Sequence, residues 1–128
     1  MPARSETPKA ASVRTARYAD MFAALGTEVR LEILRLLLSA HPEGMVVGEI
    51  QAELDIPAST LSHHLEKLRG EGLASVQRES TFLRYSANTA ALEDLLGFLF
   101  VECCSRSKAV KADVVLRRGD AGPKRRSS

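Results

Sequence analysis

The chain has very little cysteine. Its 128 residues hold two, Cys103 and Cys104, side by side. A disulfide framework needs separated pairs, so a cross-linked secreted scaffold is excluded and the two are reduced thiols or ligands. Long apolar runs are absent too: none reaches the ~18 residues that a membrane span requires. Met1 to Ser12 reads Met-Pro-Ala-Arg-Ser-Glu-Thr-Pro-Lys-Ala-Ala-Ser, without the continuous apolar stretch of a secretory signal. These absences predict a cytoplasmic chain with no membrane partner. There is no internal repeat, no low-complexity segment apart from a basic tail, and no nucleotide-binding glycine motif.

Net charge is also scarce, at +2 overall, but it is unevenly placed. Arg117 to Ser128 carries Arg117, Arg118, Lys124, Arg125 and Arg126 against Asp120, or 5 − 1 = +4. Met1 to Ser12 adds Arg4 and Lys9 against Glu6, which leaves 2 − 4 − 1 = −3 for Val13 to Leu116. Any nucleic-acid surface on the folded part must therefore be a local patch. Hydrophobic residues make up 45% of the chain, enough for one globular core, and 128 residues fit one domain with tails. The expected organisation is a disordered tail over 1–12, a domain over 13–116 and a basic disordered tail over 117–128, where Gly119, Gly122 and Pro123 discourage folding.

Periodicity supplies the elements. Arg14 to Leu25 places Ala16, Ala19, Phe22 and Ala23 at three- and four-residue spacing, which predicts a helix stopped by Gly26. Thr27 can cap a second helix with the stripe Leu31, Leu34, Leu37 and Leu38, ending near Ala40 before Pro42 and Gly44. Arg30 stands where a capping box would want an acid. Val46 to Leu54, a break at Asp55-Ile56-Pro57, and Ala58 to Arg69 then form two short helices about a three-residue turn, the spacing of a helix-turn-helix. In the later helix Leu61, Leu65 and Leu68 face the core, while Ser59, Thr60, Ser62, His63 and Lys67 point outward or flank it. Gly70 and Gly72 end that helix. From Leu73 to Tyr85 the period becomes two, with Ser80-Thr81 as the turn of a hairpin. Thr89 to about Arg106 carries Leu92, Leu95, Leu96, Phe98, Leu99, Phe100 and Val101 around most of a helical cylinder, so it needs cover on more than one side. The fold class is mainly α with a small β-hairpin (α+β).

The major groove of B-DNA admits one helix and offers base-edge donors and acceptors to its polar face. Ala58 to Arg69 is the candidate. Ser59, Thr60, Ser62 and His63 can reach base edges or phosphates, and Lys67 and Arg69 can pair with phosphate oxygens. Arg78 and Arg84 flank the tip of the hairpin, where guanidinium groups can follow the backbone or enter a minor groove. His63 and His64 side by side could be a metal pair, but adjacent helical side chains point ~100° apart and do not readily share one ion.

The run Pro57-Ala58-Ser59-Thr60-Leu61-Ser62-His63-His64-Leu65-Glu66-Lys67-Leu68, followed by Gly72-Leu73 and by Arg78-Glu79 with Arg84-Tyr85, resembles the winged-helix repressors of the ArsR/SmtB family. The likeness runs from about Tyr18 to Arg106, and Thr27-Glu28-Val29-Arg30-Leu31-Glu32-Ile33-Leu34 is similar to the family's second-helix opening. It implies a winged helix-turn-helix and a homodimer joined through the first and last helices. Such a dimer occupies double-stranded operator DNA and leaves it when an inducer binds. The apolar last helix supports the dimer independently, since one small domain cannot cover it and two-fold dimers are the commonest oligomers. One departure is at the hairpin tip. Family members often carry glycine there, whereas Ser80 and Thr81 reach positive φ less readily, which leaves the turn type open.

Inducer sites differ within the family. A Cys-x-Cys site in the first helix of the helix-turn-helix would fall on Val46 and Gly48, and the zinc-type site of the last helix needs a His where none follows His64, so both are absent. Glu102-Cys103-Cys104-Ser105 resembles the vicinal pair of arsenic-responsive members. Thiolates are soft donors that select As(III), methyl-As(III) or Sb(III) over hard cations, and no cofactor is otherwise required. In an intact helix the two side chains diverge, so a shared ligand needs the last turn to loosen. That would pull paired recognition helices off their operator spacing of ~34 Å. Val110 and its neighbours supply no third thiol, so a three-sulfur site needs the other subunit, and methylarsenite is satisfied by two thiolates. Arg106, Lys108 and Lys111 favour the thiolate, whereas Glu102 and the negative helix end oppose it.

Other readings of the pair stay open: small apolar residues in a helix interface, a thiol redox or reactive-sulfur switch, or zinc or cadmium held by two thiolates from each subunit. An enzyme such as a thiol arsenate reductase is not expected. A phosphate-cradling Cys-x5-Arg loop would need arginine where Ala109 and Val110 stand, and no acid, base and nucleophile set accompanies the thiols.

Overall fold

A computed structural model describes residues 7–104 and 112–121, in two units, Met1–Leu92 and Glu93–Ser128. In the first unit α1 spans Pro8–Leu25. It starts ahead of the expected Arg14 because Thr7 Oγ1 accepts from the Ala10 N–H at 3.1 Å and Pro8 fills the first turn, where a missing N–H costs nothing. Residues 8–12, assigned from sequence to a tail, are therefore helical. Tyr18, Met21 and Ala24 are buried, while Ala16, Ala19, Phe22 and Ala23, whose spacing predicted the helix, are exposed. The helix carries two apolar stripes, and spacing alone does not say which one meets the chain's own core.

Thr27 Oγ1 accepts from the Arg30 N–H at 3.2 Å and opens α2, Glu28–Ser39. This helix buries Ile33, Leu34 and Leu37, and leaves Leu31 and Leu38, both counted in its predicted stripe, exposed. Gly44 then takes φ +79°, a region costly for any residue with a Cβ. It turns the chain into β1, Met45–Val46, a strand too short to read from alternation. α3 covers Val47–Leu54 and is held at its start by Glu49 Oε1, which accepts from the Val46 N–H at 3.0 Å.

Asp55 takes a left-handed φ of 54°, and Gln51 Nε2 donates to the Ile56 carbonyl at 3.1 Å. These contacts fix the three-residue turn into α4, Ala58–Gly70. Leu61, Leu65 and Leu68 are completely buried there, as their spacing requires, and α4 packs on α1 and α2. Gly72, at φ +78°, closes the helix, with Leu73 N–H donating back to the Leu68 carbonyl at 2.9 Å.

β2, Ala74–Glu79, and β3, Phe82–Ala87, pair antiparallel, with Glu79 opposite Phe82 and only Ser80-Thr81 between them. Ser80 alone of the two has positive φ, 60°, which is the φ pattern of a II′ hairpin turn and answers the open turn type. β1 adds to the other edge of β3, giving the order β1-β3-β2. Asn88 anchors the exit: its Nδ2 donates to the Gly72 carbonyl at 2.8 Å, and its Oδ1 accepts from the Ala91 N–H at 3.2 Å inside α5, Thr89–Phe98.

The second unit takes up the rest of α5, with Leu95 buried and Leu96 56% exposed. The α-helix does not run straight on to Arg106 as expected. Leu99–Cys104 winds instead as a π-helical stretch, wider than the α-helix before it. Its Leu99 and Val101 are exposed. α6 then spans Ala112–Ala121, so Arg117 and Arg118, expected in an irregular tail, are helical, and Arg117 pairs with Asp113 at 3.2 Å one turn back. Residues 105–111 and 122–128, with the rest of the basic segment, lie outside the described residues.

Candidate nucleic-acid interface

The leucine ridge decides what α4 shows to solvent. With Leu61, Leu65 and Leu68 turned fully inward, Ser59, Thr60, Ser62 and His63 are all exposed on its N-terminal half. No hydrogen bond within the described residues engages the three hydroxyls, so their donors and acceptors are available. The helix begins at Pro57 with no side-chain cap, which also leaves the first backbone N–H groups for an acceptor from outside.

The cations named from sequence are less free. Arg69 grips Glu66 in a fork, with Nη2 to Oε1 at 2.7 Å and Nε to Oε1 at 3.0 Å, and Lys67 lies 3.8 Å from Glu71. The Arg69 pair is solvent-exposed and the Lys67 pair partly so, of a kind whose net worth is ~0 to 1 kcal/mol, so a phosphate can displace the carboxylate partner. Arg84 is more deeply committed: its Nε donates to Glu79 Oε1 at 3.0 Å and its Nη1 to the Gly44 carbonyl at 3.4 Å, which ties the wing to the turn before β1. Arg78 is exposed beside the hairpin tip, opposite Leu83.

Two features of the site had no signal in the sequence. Tyr85, buried on β3, donates its hydroxyl to Glu66 Oε2 at 2.8 Å and so locks the hairpin to α4. Burial and the Glu66 carboxylate together push the phenol up to about 12, and the hydrogen bonds from Arg69 and Tyr85 hold the Glu66 carboxyl below its usual range. Arg30 Nη1, from α2, reaches His64 Nδ1 on α4 at 3.0 Å. Desolvation first, then the charges of Arg30 and His63, lower the His64 pKa. Residues 34 apart meet here, a distance at which local periodicity is silent. The rings of His63 and His64 meet edge to face, 5.6 Å between centroids, and no group of three metal-ligating side chains forms among the described residues. The backbone of Cys103 and Cys104 closes the π-helical stretch, and their side chains lie outside the described residues.

A helix-turn-helix whose second helix presents a polar face, followed by a two-stranded wing on a three-stranded sheet, defines a winged-helix DNA-binding protein. A model of a helix-turn-helix domain matches residues 25–77. The chain is 31% identical over 80 residues to the transcriptional repressor SdpR of Bacillus subtilis, covering 62% of this chain and 86% of that protein. It is 35% identical over 81 residues to the nodulation protein NolR of Rhizobium meliloti, covering 63% of this chain and 64%, just under two thirds, of that one. A solved structure of reduced HlyU from Vibrio cholerae N16961 superposes with a TM-score of 0.58 at 28% identity, over 73% of this chain and 95% of the other. The chain belongs to the ArsR/SmtB family of winged-helix transcriptional regulators. No helix among the described residues is long and apolar enough to cross a membrane.

Proposed function

We propose that this chain is a homodimeric repressor that holds double-stranded operator DNA through α4 and the wing, and releases it when a soft thiophile binds Cys103 and Cys104. The observation that carries the DNA reading is the exposed, unengaged hydroxyl row Ser59, Thr60 and Ser62 with His63, set on a ridge of three fully buried leucines. Ser59, Thr60, Ser62 and His63 read base edges, while Lys67, Arg69 and Arg78 hold phosphates and Arg84 braces the wing. The dimer is supported by the outward apolar stripe of α1, where Val13 is 64% exposed and Phe22 37%, and by the exposed Leu96, Leu99 and Val101.

For the inducer, adjacent thiols favour trivalent arsenic, as arsenite or methylarsenite, or antimonite. The π-helical winding at Leu99–Cys104 supports a switch at this place, because such widened turns recur at functional sites and are readily rewound. A second reading, a thiol redox or reactive-sulfur switch at the same pair, is favoured by one observation: a related regulator, HlyU, has been solved in a form described as reduced. Zinc or cadmium bound by two thiolates from each subunit is the third arm of the test.

The experiment selects a duplex from a randomised DNA pool with the wild-type protein. Fluorescence anisotropy then follows release of that duplex by arsenite, methylarsenite, antimonite, zinc, cadmium, peroxide and polysulfide in turn. Release by the arsenicals, lost in Cys103→Ser and in Cys104→Ser with affinity intact, is the expected result. Release by peroxide or polysulfide alone replaces the arsenic reading with the redox one, and failure to enrich any duplex ends the DNA reading.

A further inference from the structure

Arg30 joins three helices at the root of α4. From α2 its Nε donates to the Ala24 carbonyl at the end of α1, and its Nη1 donates to His64 Nδ1 at 3.0 Å. A guanidinium has donors only and keeps its proton throughout the accessible pH range, so Nδ1 must present a lone pair and the ring proton must sit on Nε2. The bond therefore exists only while His64 is neutral. His64 is half-buried and none of its ring atoms is a buried unpartnered polar atom, so Nε2 is open to water and to protons.

We infer that Arg30 and His64 are positioning residues for DNA binding: their hydrogen bond sets the rotation of α4 about its leucine ridge, and only with the imidazole uncharged. The inference rests on the reading of α4 as the recognition helix. His64 follows His63 directly and sits one turn after Thr60, so a small roll of α4 at His64 moves the whole base-reading face. Protonation removes the acceptor and places a second cation against the guanidinium. The charges that bear on the ring are Arg30 from α2 and His63 from α4 itself. α1 offers the neutral Ala24 carbonyl, its Arg17 lying near Gly72 beyond the other end of α4, and the charged Arg78 and Glu79 of β2 are at the hairpin tip. Among the described residues no carboxylate acts on the ring to compensate its charge, and the lowered His64 pKa agrees with that arrangement.

The test measures affinity for the selected duplex by anisotropy at about pH 7.5 and about pH 4.5 at one salt concentration, the lower value set well under the ordinary imidazole pKa because that of His64 is lowered. The variants are His64→Asn, whose Oδ1 replaces the Nδ1 acceptor but does not titrate, His64→Leu and Arg30→Met. His63 is kept in all of them, so only His64 or Arg30 differs between the proteins compared. The expected result is a several-fold loss of affinity on acidification in the wild type. His64→Asn keeps near wild-type affinity at the higher pH with a flatter profile, and Arg30→Met binds weakly at both. An acid profile of His64→Asn superimposable on that of the wild type overturns the inference while leaving the DNA reading intact, as does wild-type affinity in Arg30→Met. If His64→Leu fails to fold, His64→Asn decides. A wild type that enriches no duplex overturns the DNA reading and this inference with it.

Discussion

Replacing Gly44 by alanine puts one methyl group at the point where the wing is fastened to the helices. At φ +79° an L-residue is strained by about 1–2 kcal/mol. The added Cβ would also run into the Tyr85 carbonyl oxygen and stand 2.5 Å from Ser86 Oγ, both on the central strand β3. Relief requires β3 to shift or the β1 pairing of Met45 with Tyr85 to open, an overpacking cost of roughly 1–3 kcal/mol. Together these amount to about 2–5 kcal/mol, and a domain of this size loses ~4–8 °C in Tm per kcal/mol. The same chemical change at Gly70, where a Cβ meets nothing within 4 Å at the end of α4, should stabilise by roughly 0.5 kcal/mol. Thermal melts followed by circular dichroism compare the two. Expected is a fall of at least about 8 °C for Gly44→Ala against no fall for Gly70→Ala. Equal, small shifts in both would refute the claim that close approach of backbone at Gly44, rather than glycine content, holds β1 to β3.

Ser80→Gly relieves the only positive φ in the hairpin tip and should stabilise by up to about 1 kcal/mol, read as a higher Tm; a lower Tm would show that the turn favours serine. Tyr85→Phe removes the hydroxyl bond to Glu66 and should cost about 1 kcal/mol at neutral pH. Because the folded phenol is raised to about 12, that stabilisation is present below the unfolded pKa of ~10 and is lost as pH rises toward 12, so the gap between variant and wild type must close in alkali. Ser62→Ala and His63→Ala should weaken binding to the selected duplex by about 1–3 kcal/mol while sparing random DNA. Lys67→Ala should weaken both and lower the salt slope by about 1; equal losses on both duplexes for His63→Ala would remove it as a base reader.

Local signals carried far in this chain. The i, i+4, i+7 spacing of Leu61, Leu65 and Leu68 set the face of α4, and with it the exposure of Ser59, Thr60, Ser62 and His63, because one fully apolar stripe on a short helix has a single stable orientation. The three-residue turn and the two-residue hairpin loop followed from Pro57, Gly72 and the change of period at Leu73. Spacing failed where two answers were locally equivalent. The stripe of Ala16, Ala19, Phe22 and Ala23 on α1 was real but faces away from the chain's own core, and Leu31 and Leu38 gave way to Ile33 on α2. It was also blind to β1, a strand of two residues that exists only because β3 has a free edge.

The family resemblance, the helix-turn-helix and the polar face of its second helix were thus written in the order of residues, since helix period and turn chemistry act over a few positions. The contacts that fasten that helix and the wing were not: Arg30 to His64, Tyr85 to Glu66 and the close approach of Gly44 to Tyr85 each join residues 19 or more apart. Such pairs are set by how elements stack once the leucine core has closed, and only the tertiary structure decides that.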